Sequence, residues 1–163
     1  MTDSARVLAL ADEEATGRLA RALATTQPGP AVVYLRGDLG AGKSTLARAW
    51  LRSLGVTGPI RSPTYTLVER YPMGGSEALH LDLYRIGSGA ELEFLGLDDV
   101  SARLWLVEWP ERGAGGLPAA DLELELAMAG PGRHAVLRGH GKIGRRWLEA
   151  LADGGQLEAF PEP

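Results

Sequence analysis

A glycine-rich run between residues 37 and 44 is the strongest chemical signal in the sequence. It reads Gly-Asp-Leu-Gly-Ala-Gly-Lys-Ser and matches G-x-x-x-x-G-K-[ST], a pattern typical of phosphate-binding loops. Its glycines let successive backbone N–H groups point into one concavity, to which a following helix adds positive charge. Lys43 can reach the β- and γ-phosphates of a nucleotide, and Ser44 offers a hydroxyl to Mg²⁺. The predicted phosphate-binding residues are Gly37, Gly40, Ala41, Gly42, Lys43, Ser44 and Thr45.

Two acids in apolar strands are candidates to complete a nucleotide site. Asp82 lies in the run 78–83, and Glu108 ends the run 104–108. An acid at the mouth of a buried strand must meet a cation, a hydrogen-bond donor or water. With Lys43, these acids form the predicted catalytic set, in which Asp82 or Glu108 orients the attacking water. A solvated acid at a strand end is the alternative interpretation for each.

The segment 62–66, Ser-Pro-Thr-Tyr-Thr, is a candidate switch. It lies between the helix of the phosphate loop and the next strand, where P-loop proteins often sense the γ-phosphate. The hydroxyl of Ser62 or Thr64 would then touch Mg²⁺ or the γ-phosphate, and Tyr65 belongs to the same segment. An ordinary turn that contains proline is the alternative.

The predicted elements place these motifs in an α/β fold. Apolar residues that recur every three or four positions predict helices after Asp12, after Lys43 and around Trp147. The predicted strands are residues 6–11, 31–36, 66–71, 78–83, 104–109, 121–127 and 135–138. Strands that alternate with helices early and form hairpins later predict a P-loop NTPase fold. We expect a mixed sheet with a parallel centre and antiparallel margins, and helices on both faces.

Length and composition fit one globular domain over residues 1–163. Of the 163 residues, 45% are apolar, which is enough to bury one core. We expect an ordered core over about residues 5–152 and a frayed tail over 153–163.

Composition also excludes several classes of function. The absence of cysteine excludes disulfides and thiolate metal sites. A net charge of −4 argues against general attraction to nucleic acids or membranes. Since no apolar run approaches the ~18 residues that span a bilayer, we expect a cytoplasmic protein without membrane contact. Residues 133–146 carry five basic residues and no acid, which fits a docking face, an RNA contact or a solvated surface.

Further motifs follow the glycine loop in a fixed order. They are Ser62–Glu69, His80–Arg85, Glu91–Gly96 and Leu106–Glu111. Together with Gly37–Thr45 they resemble the TsaE family, also called YjeE, over about residues 11–133. Members of this family are small ATPases required for the threonylcarbamoyladenosine modification of tRNA. The phosphate loop alone is shared by many proteins, whereas the later motifs are much more specific.

The resemblance implies a protein that binds ATP, hydrolyses it weakly, and acts with the threonylcarbamoyl-transferase subunit TsaD and its partner TsaB. Any contact with tRNA would be indirect. It further implies that Ser44 and Glu108 hold Mg²⁺ and that Asp82 is catalytic or positions water. Glu13 and Arg133 match the positions from an early helix and a late hairpin that approach the nucleotide in this family.

Two other functions stay open on the residues alone. A small-molecule kinase could use the same loop, but it would need an acceptor pocket and usually a mobile lid that carries arginine. The long mid-chain loop 110–118 carries only Arg112. The remaining alternative is a non-enzymatic binding module. Nucleotide binding would control its affinity for a partner, and hydrolysis would be incidental.

Overall fold

Residues 4–97 and 101–163 are described by the structure, a computed structural model. The strands are β1 Ser4–Leu10, β2 Ala31–Arg36, β3 Val68–Met73, β4 Ser76–Asp82, β5 Leu104–Glu108, β6 Leu122–Ala129 and β7 Gly132–Gly139. The α-helices are α1 Glu13–Thr26, α2 Lys43–Ser53 and α3 Gly141–Asp153. Short 3-10 helices span Gly89–Leu95, Pro110–Gly113 and Gln156–Ala159. Within these described residues, no helix is long and apolar enough to cross a membrane.

All seven strands join one sheet in the order β1-β7-β6-β2-β5-β4-β3. The pairs β6–β2, β2–β5 and β5–β4 are parallel, whereas β1–β7, β7–β6 and β4–β3 are antiparallel. The predicted mixed sheet with a parallel centre and antiparallel margins is therefore confirmed. Because β2, β4 and β5 run in the same direction, their carboxyl ends meet at one edge of the sheet.

Side chains that alternate along the central strands divide the core into two clusters. On β5, Leu106 belongs to the larger cluster, which includes residues of all three α-helices, and Val107 belongs to the smaller one. Successive residues of a strand face opposite sides of the sheet, so the clusters lie on opposite faces. The smaller cluster is closed by Leu92, from the 3-10 helix Gly89–Leu95. Helical segments thus cover both faces, but the α-helices share one of them.

Two tryptophans tie the helical layer together. The rings of Trp50 on α2 and Trp147 on α3 are fully buried and meet edge to face, with centroids 5.6 Å apart. Trp147 Nε1 also donates to the carbonyl oxygen of Leu23 on α1, at 3.1 Å. A buried indole N–H needs such a partner, so this bond fixes α3 against α1.

Most predicted elements lie close to their predicted positions. The strand predicted at 31–36 is found there, and the bounds of the others shift by up to three residues. Helix α1 begins where expected, because the Asp12 side chain caps it by accepting from the Ala15 N–H at 2.9 Å. The predicted capping box is also present, with Ser88 and Glu91 at the start of a 3-10 helix.

The segment after Asp153 differs from the frayed tail that we expected. It forms the 3-10 helix Gln156–Ala159, and Phe160 is buried in the larger cluster. The Ala9 N–H donates to the Pro161 carbonyl oxygen at 2.8 Å, so the tail runs beside β1. The physical reason is the apolar area that Phe160 removes from water, which local composition did not indicate.

Two helical glycines give a matched test of this packing. A Cβ at Gly144 in α3 would collide with the Asp121 carbonyl oxygen and lie 2.8 Å from the Gly139 backbone, whereas one at Gly17 in α1 would meet only the Arg21 guanidinium, at 3.6 Å. We expect Gly17→Ala to raise the free energy of unfolding by about 0.5–1 kcal/mol, since alanine favours helix. We expect Gly144→Ala to lower it by roughly 1–3 kcal/mol. Urea denaturation measures both, and equal effects would contradict the close approach of α3 to the sheet.

Candidate functional site

A cavity of about 510 Å³ opens at the edge where the carboxyl ends of β2, β4 and β5 meet. Polar and charged side chains from well-separated parts of the sequence line it together with the backbone of the glycine loop. The predicted site residues that line it are Glu13, Gly40, Gly42, Lys43, Ser44, Thr45, Thr64, Asp82, Glu108 and Arg133.

The glycine loop connects β2 to α2 in a conformation that requires glycine. Gly37, Gly40 and Gly42 all have positive φ, of 142°, 81° and 107°. At Gly37 a Cβ would also collide with the carbonyl oxygen of Leu126 on β6. Gly42 stands immediately before α2 and has no side chain to occupy its N-terminus. The positive end of the helix dipole is thus left for a bound anion.

Lys43 is held by the loop that precedes it. Its ammonium donates to the carbonyl oxygens of Gly37 and of Asp38, the latter at 2.9 Å. The same Nζ lies 4.8 Å from the centre of the Trp109 ring. Burial lowers the pKa of Lys43, and the nearby carboxylates of Glu108 and Asp82 oppose that shift. The two carbonyl oxygens therefore hold the Lys43 ammonium at the cavity wall, and an anionic ligand could take their place as its hydrogen-bond acceptor.

The two predicted acids are direct neighbours in the sheet. Asp82 on β4 is paired in register with Glu108 on β5, and both are buried. Burial raises the pKa of Asp82, as does the carboxylate of Glu108, while the Tyr84 N–H that Asp82 accepts at 3.0 Å lowers it. Glu108 Oε2 lies 2.6 Å from Nε2 of His80. Two adjacent buried carboxylates beside a lysine form a site that a cation would stabilise.

Arg133, at the start of β7, contacts the loop from the side opposite the acids. Its Nε donates to the Ala41 carbonyl oxygen at 2.9 Å, and one Nη donates to that of Gly40 at 3.3 Å. Arg133 therefore fixes the loop and also lines the cavity. Gly37 and Ala41 do not line it, but their carbonyl oxygens bind Lys43 and Arg133.

Only one residue of the predicted switch lines the cavity. It is Thr64, whose hydroxyl is 2.7 Å from that of Ser62, which does not itself line the cavity. Tyr65 is 81% exposed, and its ring stacks with the guanidinium of Arg85 at 4.6 Å. The structure therefore brings Thr64 to the cavity and leaves Tyr65 on the surface.

Trp109 is the main site residue that sequence reasoning missed. Its ring packs against Lys43 and lies 5.0 Å from that of Tyr84. Its φ of 56° is unusual for a residue other than glycine, and it turns the chain from β5 into Pro110. The signal was its position directly after Glu108, at the carboxyl end of a buried strand. The other lining residues not predicted are Asp12, Thr16, Leu39, Pro131 and Gly132.

The donor set of the cavity suits a hard cation held partly by a ligand. Carboxylate and hydroxyl oxygens are the protein ligands that Mg²⁺ prefers, and it usually keeps several waters. No group of three or more His, Cys, Asp or Glu side chains that could hold a metal occurs within residues 4–97 and 101–163. Ser44 and Glu108 line the cavity and carry oxygens that could hold such a cation together with water or a bound phosphate.

The strand, glycine loop and helix at the centre of a mixed sheet define an α/β protein of the P-loop fold class. The family model described as "Threonylcarbamoyl adenosine biosynthesis protein TsaE" matches residues 10–135. The chain belongs to the TsaE family of tRNA threonylcarbamoyladenosine biosynthesis proteins.

Relatives named tRNA threonylcarbamoyladenosine biosynthesis protein TsaE match most of the chain. The protein from Haemophilus influenzae is 41% identical over 124 residues, which cover 75% of this chain and 78% of the relative. The protein from Streptomyces coelicolor is 36% identical over 141 residues, or 81% and 93% of the two chains. The crystal structure of YdiB from Bacillus subtilis superposes with a TM-score of 0.79 at 26% identity, covering 94% of this chain and 98% of that one.

The raised pKa of Asp82 predicts that its buried carboxylate lowers the free energy of unfolding at neutral pH. The folded carboxyl keeps its proton to higher pH than the unfolded one, whose pKa is near 3.8, so stability falls as pH rises through that interval. Asp82→Asn keeps an acceptor for the Tyr84 N–H and removes the buried charge. We expect a higher melting temperature than wild type at pH 7.5 and a smaller gain at pH 4.5, measured by thermal denaturation. A lower melting temperature at pH 7.5 would contradict this cost.

Proposed function

We propose that this protein binds ATP with Mg²⁺, hydrolyses it weakly, and acts as an accessory ATPase of tRNA N6-threonylcarbamoyladenosine modification together with TsaD and TsaB. One observation carries the nucleotide part of the proposal. The N-terminus of α2 and the Lys43 ammonium face the same cavity as Asp82 and Glu108. Such a cavity offers donors and positive charge to phosphate on one side and carboxylates to a metal on the other.

The loop and its helix bind the phosphates in this proposal. The backbone N–H groups of residues 40–45 receive phosphate oxygens, and Lys43 exchanges its loop carbonyl partners for the β- and γ-phosphates. Arg133 holds the loop in place through the Gly40 and Ala41 carbonyl oxygens. Contacts that hold a loop in its binding conformation reduce the entropy that the loop loses on binding.

The acids and hydroxyls supply the remaining roles. Ser44 and Glu108 would hold Mg²⁺, which neutralises phosphate charge when bound. Asp82 is the residue that would orient and deprotonate the attacking water, because burial has raised its proton affinity. Thr64 lines the cavity, where its hydroxyl could bind the γ-phosphate and so couple the presence of that phosphate to the conformation of the segment that precedes β3.

The role in tRNA modification rests on the family. The matching relatives carry that biosynthetic function in their names, and the chain shares their sequence over most of its length. In this proposal the threonylcarbamoyl transfer itself is carried out by the partners.

The two lysines of the chain give a matched test of ATP binding. Lys43 lines the cavity, whereas Lys142 is exposed on α3. Hydrogen bonds to charged groups contribute about 1.5–3 kcal/mol, so we expect Lys43→Ala to weaken Mg-ATP binding at least tenfold. Lys142→Ala should leave it unchanged. Titration calorimetry measures both affinities, and unchanged affinity in Lys43→Ala would refute the nucleotide site.

The accessory role is tested with purified TsaD and TsaB. We expect the chain to co-elute with them in size-exclusion chromatography when a non-hydrolysable ATP analogue is present, and its ATP hydrolysis to rise at least tenfold in their presence. Phosphate transfer to a metabolite without these partners would favour a kinase. Full tRNA modification with a variant that binds ATP but does not hydrolyse it would favour a nucleotide-switched binding module.

A further inference from the structure

A histidine is buried beside the proposed metal ligand. His80 on β4 and Glu108 on β5 lie on the same face of the sheet, since His80 is in register with Leu106, two residues before Glu108. The side chains of His80 and Glu108 are 3% and 4% exposed, and Nε2 lies 2.6 Å from Oε2. This short contact is the one hydrogen bond of the imidazole among the described residues, because Nδ1 is buried without a partner there.

The unpartnered nitrogen fixes which atom carries the proton. If Nδ1 were protonated, alone or together with Nε2, a buried N–H would have no acceptor. If Nδ1 alone were protonated, Nε2 would also have to accept from a protonated Glu108. If Nε2 carries the proton, it donates to the carboxylate, and only an acceptor lone pair on Nδ1 is left without a partner. The last arrangement keeps a charge-assisted bond, and unpaired buried donors are the rarer defect. We therefore assign the proton to Nε2.

Packing does not account for a histidine at this position. The residues that share its face of the sheet include Ala78 on β4 and Leu106 on β5, both fully buried, and Asp82. A phenylalanine would fill a similar volume without an unpaired ring nitrogen, which costs free energy in the interior. The imidazole is explained by the carboxylate that it binds.

We propose that His80 is a positioning residue for the metal. By donating to Oε2, it fixes the orientation of the Glu108 carboxylate, whose other oxygen would remain available to Mg²⁺. The inference rests on the proposed function, in which Glu108 is a metal ligand. A hydrogen bond from a second residue orients a ligating group, and its loss typically weakens metal binding 10- to 100-fold.

The first test locates the proton in the wild-type protein. In the ¹⁵N spectrum of protein labelled at its histidine rings, we expect His80 to show a protonated Nε2 and an unprotonated Nδ1 at pH 7.5. A proton on Nδ1 alone would reverse the direction of the bond and overturn the inference. This readout requires neither nucleotide nor activity.

The second test compares three substitutions that differ in where they place a donor. In His80→Gln, the amide nitrogen stands three bonds from Cβ, as Nε2 does in histidine. In His80→Asn it stands two bonds away and does not reach Glu108, and His80→Phe has no donor at all. The quantity measured by calorimetry is the factor by which Mg²⁺ strengthens ATP binding. We expect this factor to fall at least tenfold in His80→Phe and His80→Asn and to stay within about threefold of wild type in His80→Gln.

The outcomes distinguish a failure of the proposed metal site from a failure of the role assigned to His80. If Mg²⁺ does not strengthen ATP binding by the wild-type protein, the proposed metal site fails. If the wild type responds to Mg²⁺ and the Phe and Asn variants respond equally, His80 does not position the ligand, and the proposed function is unaffected. Affinity for ATP without Mg²⁺ should be the same in all four proteins. If the Phe variant does not fold, the comparison of the Asn and Gln variants and the ¹⁵N spectrum still test whether His80 positions Glu108.

Discussion

Three charged side chains buried at one edge of the sheet constrain the whole structure. Lys43, Asp82 and Glu108 are 5%, 9% and 3% exposed. A buried charge is tolerated only when it is paired or hydrogen-bonded, so their positions depend on one another. Parallel β2, β4 and β5 provide that arrangement, because their carboxyl ends deliver the glycine loop, Asp82 and Glu108 to the same place.

The residues around these charges act mainly by holding backbone and side chains in place. Arg133 binds loop carbonyl oxygens from β7, and the ring of Trp109 lies over the Lys43 ammonium. His80, on the neighbouring strand β4, contacts the Glu108 carboxylate. These contacts join the site to parts of the chain that are far apart in the sequence. These contacts hold the residues that line the cavity in defined positions.

Helical segments cover both faces of the sheet and leave the cavity at the edge where β2, β4 and β5 end. The α-helices lie on one face of the sheet, and the 3-10 helix Gly89–Leu95 covers part of the other. The cavity takes up the edge between the loop and the acids, with the hairpin turn at residues 131–133 on its rim.

The sequence by itself determined the local elements and the identity of the main chemical groups. The glycine pattern required positive φ before a helix, apolar periodicity defined most strands and helices, and Asp82 and Glu108 stood out as acids in apolar runs. Only the tertiary structure decided what depends on contacts distant in sequence. It paired Asp82 with Glu108, placed His80 and Trp109 at the site, put Tyr65 on the surface, and buried Phe160. Burial and hydrogen bonding between separate strands have no signature in local composition, because they depend on which strands become neighbours in the sheet.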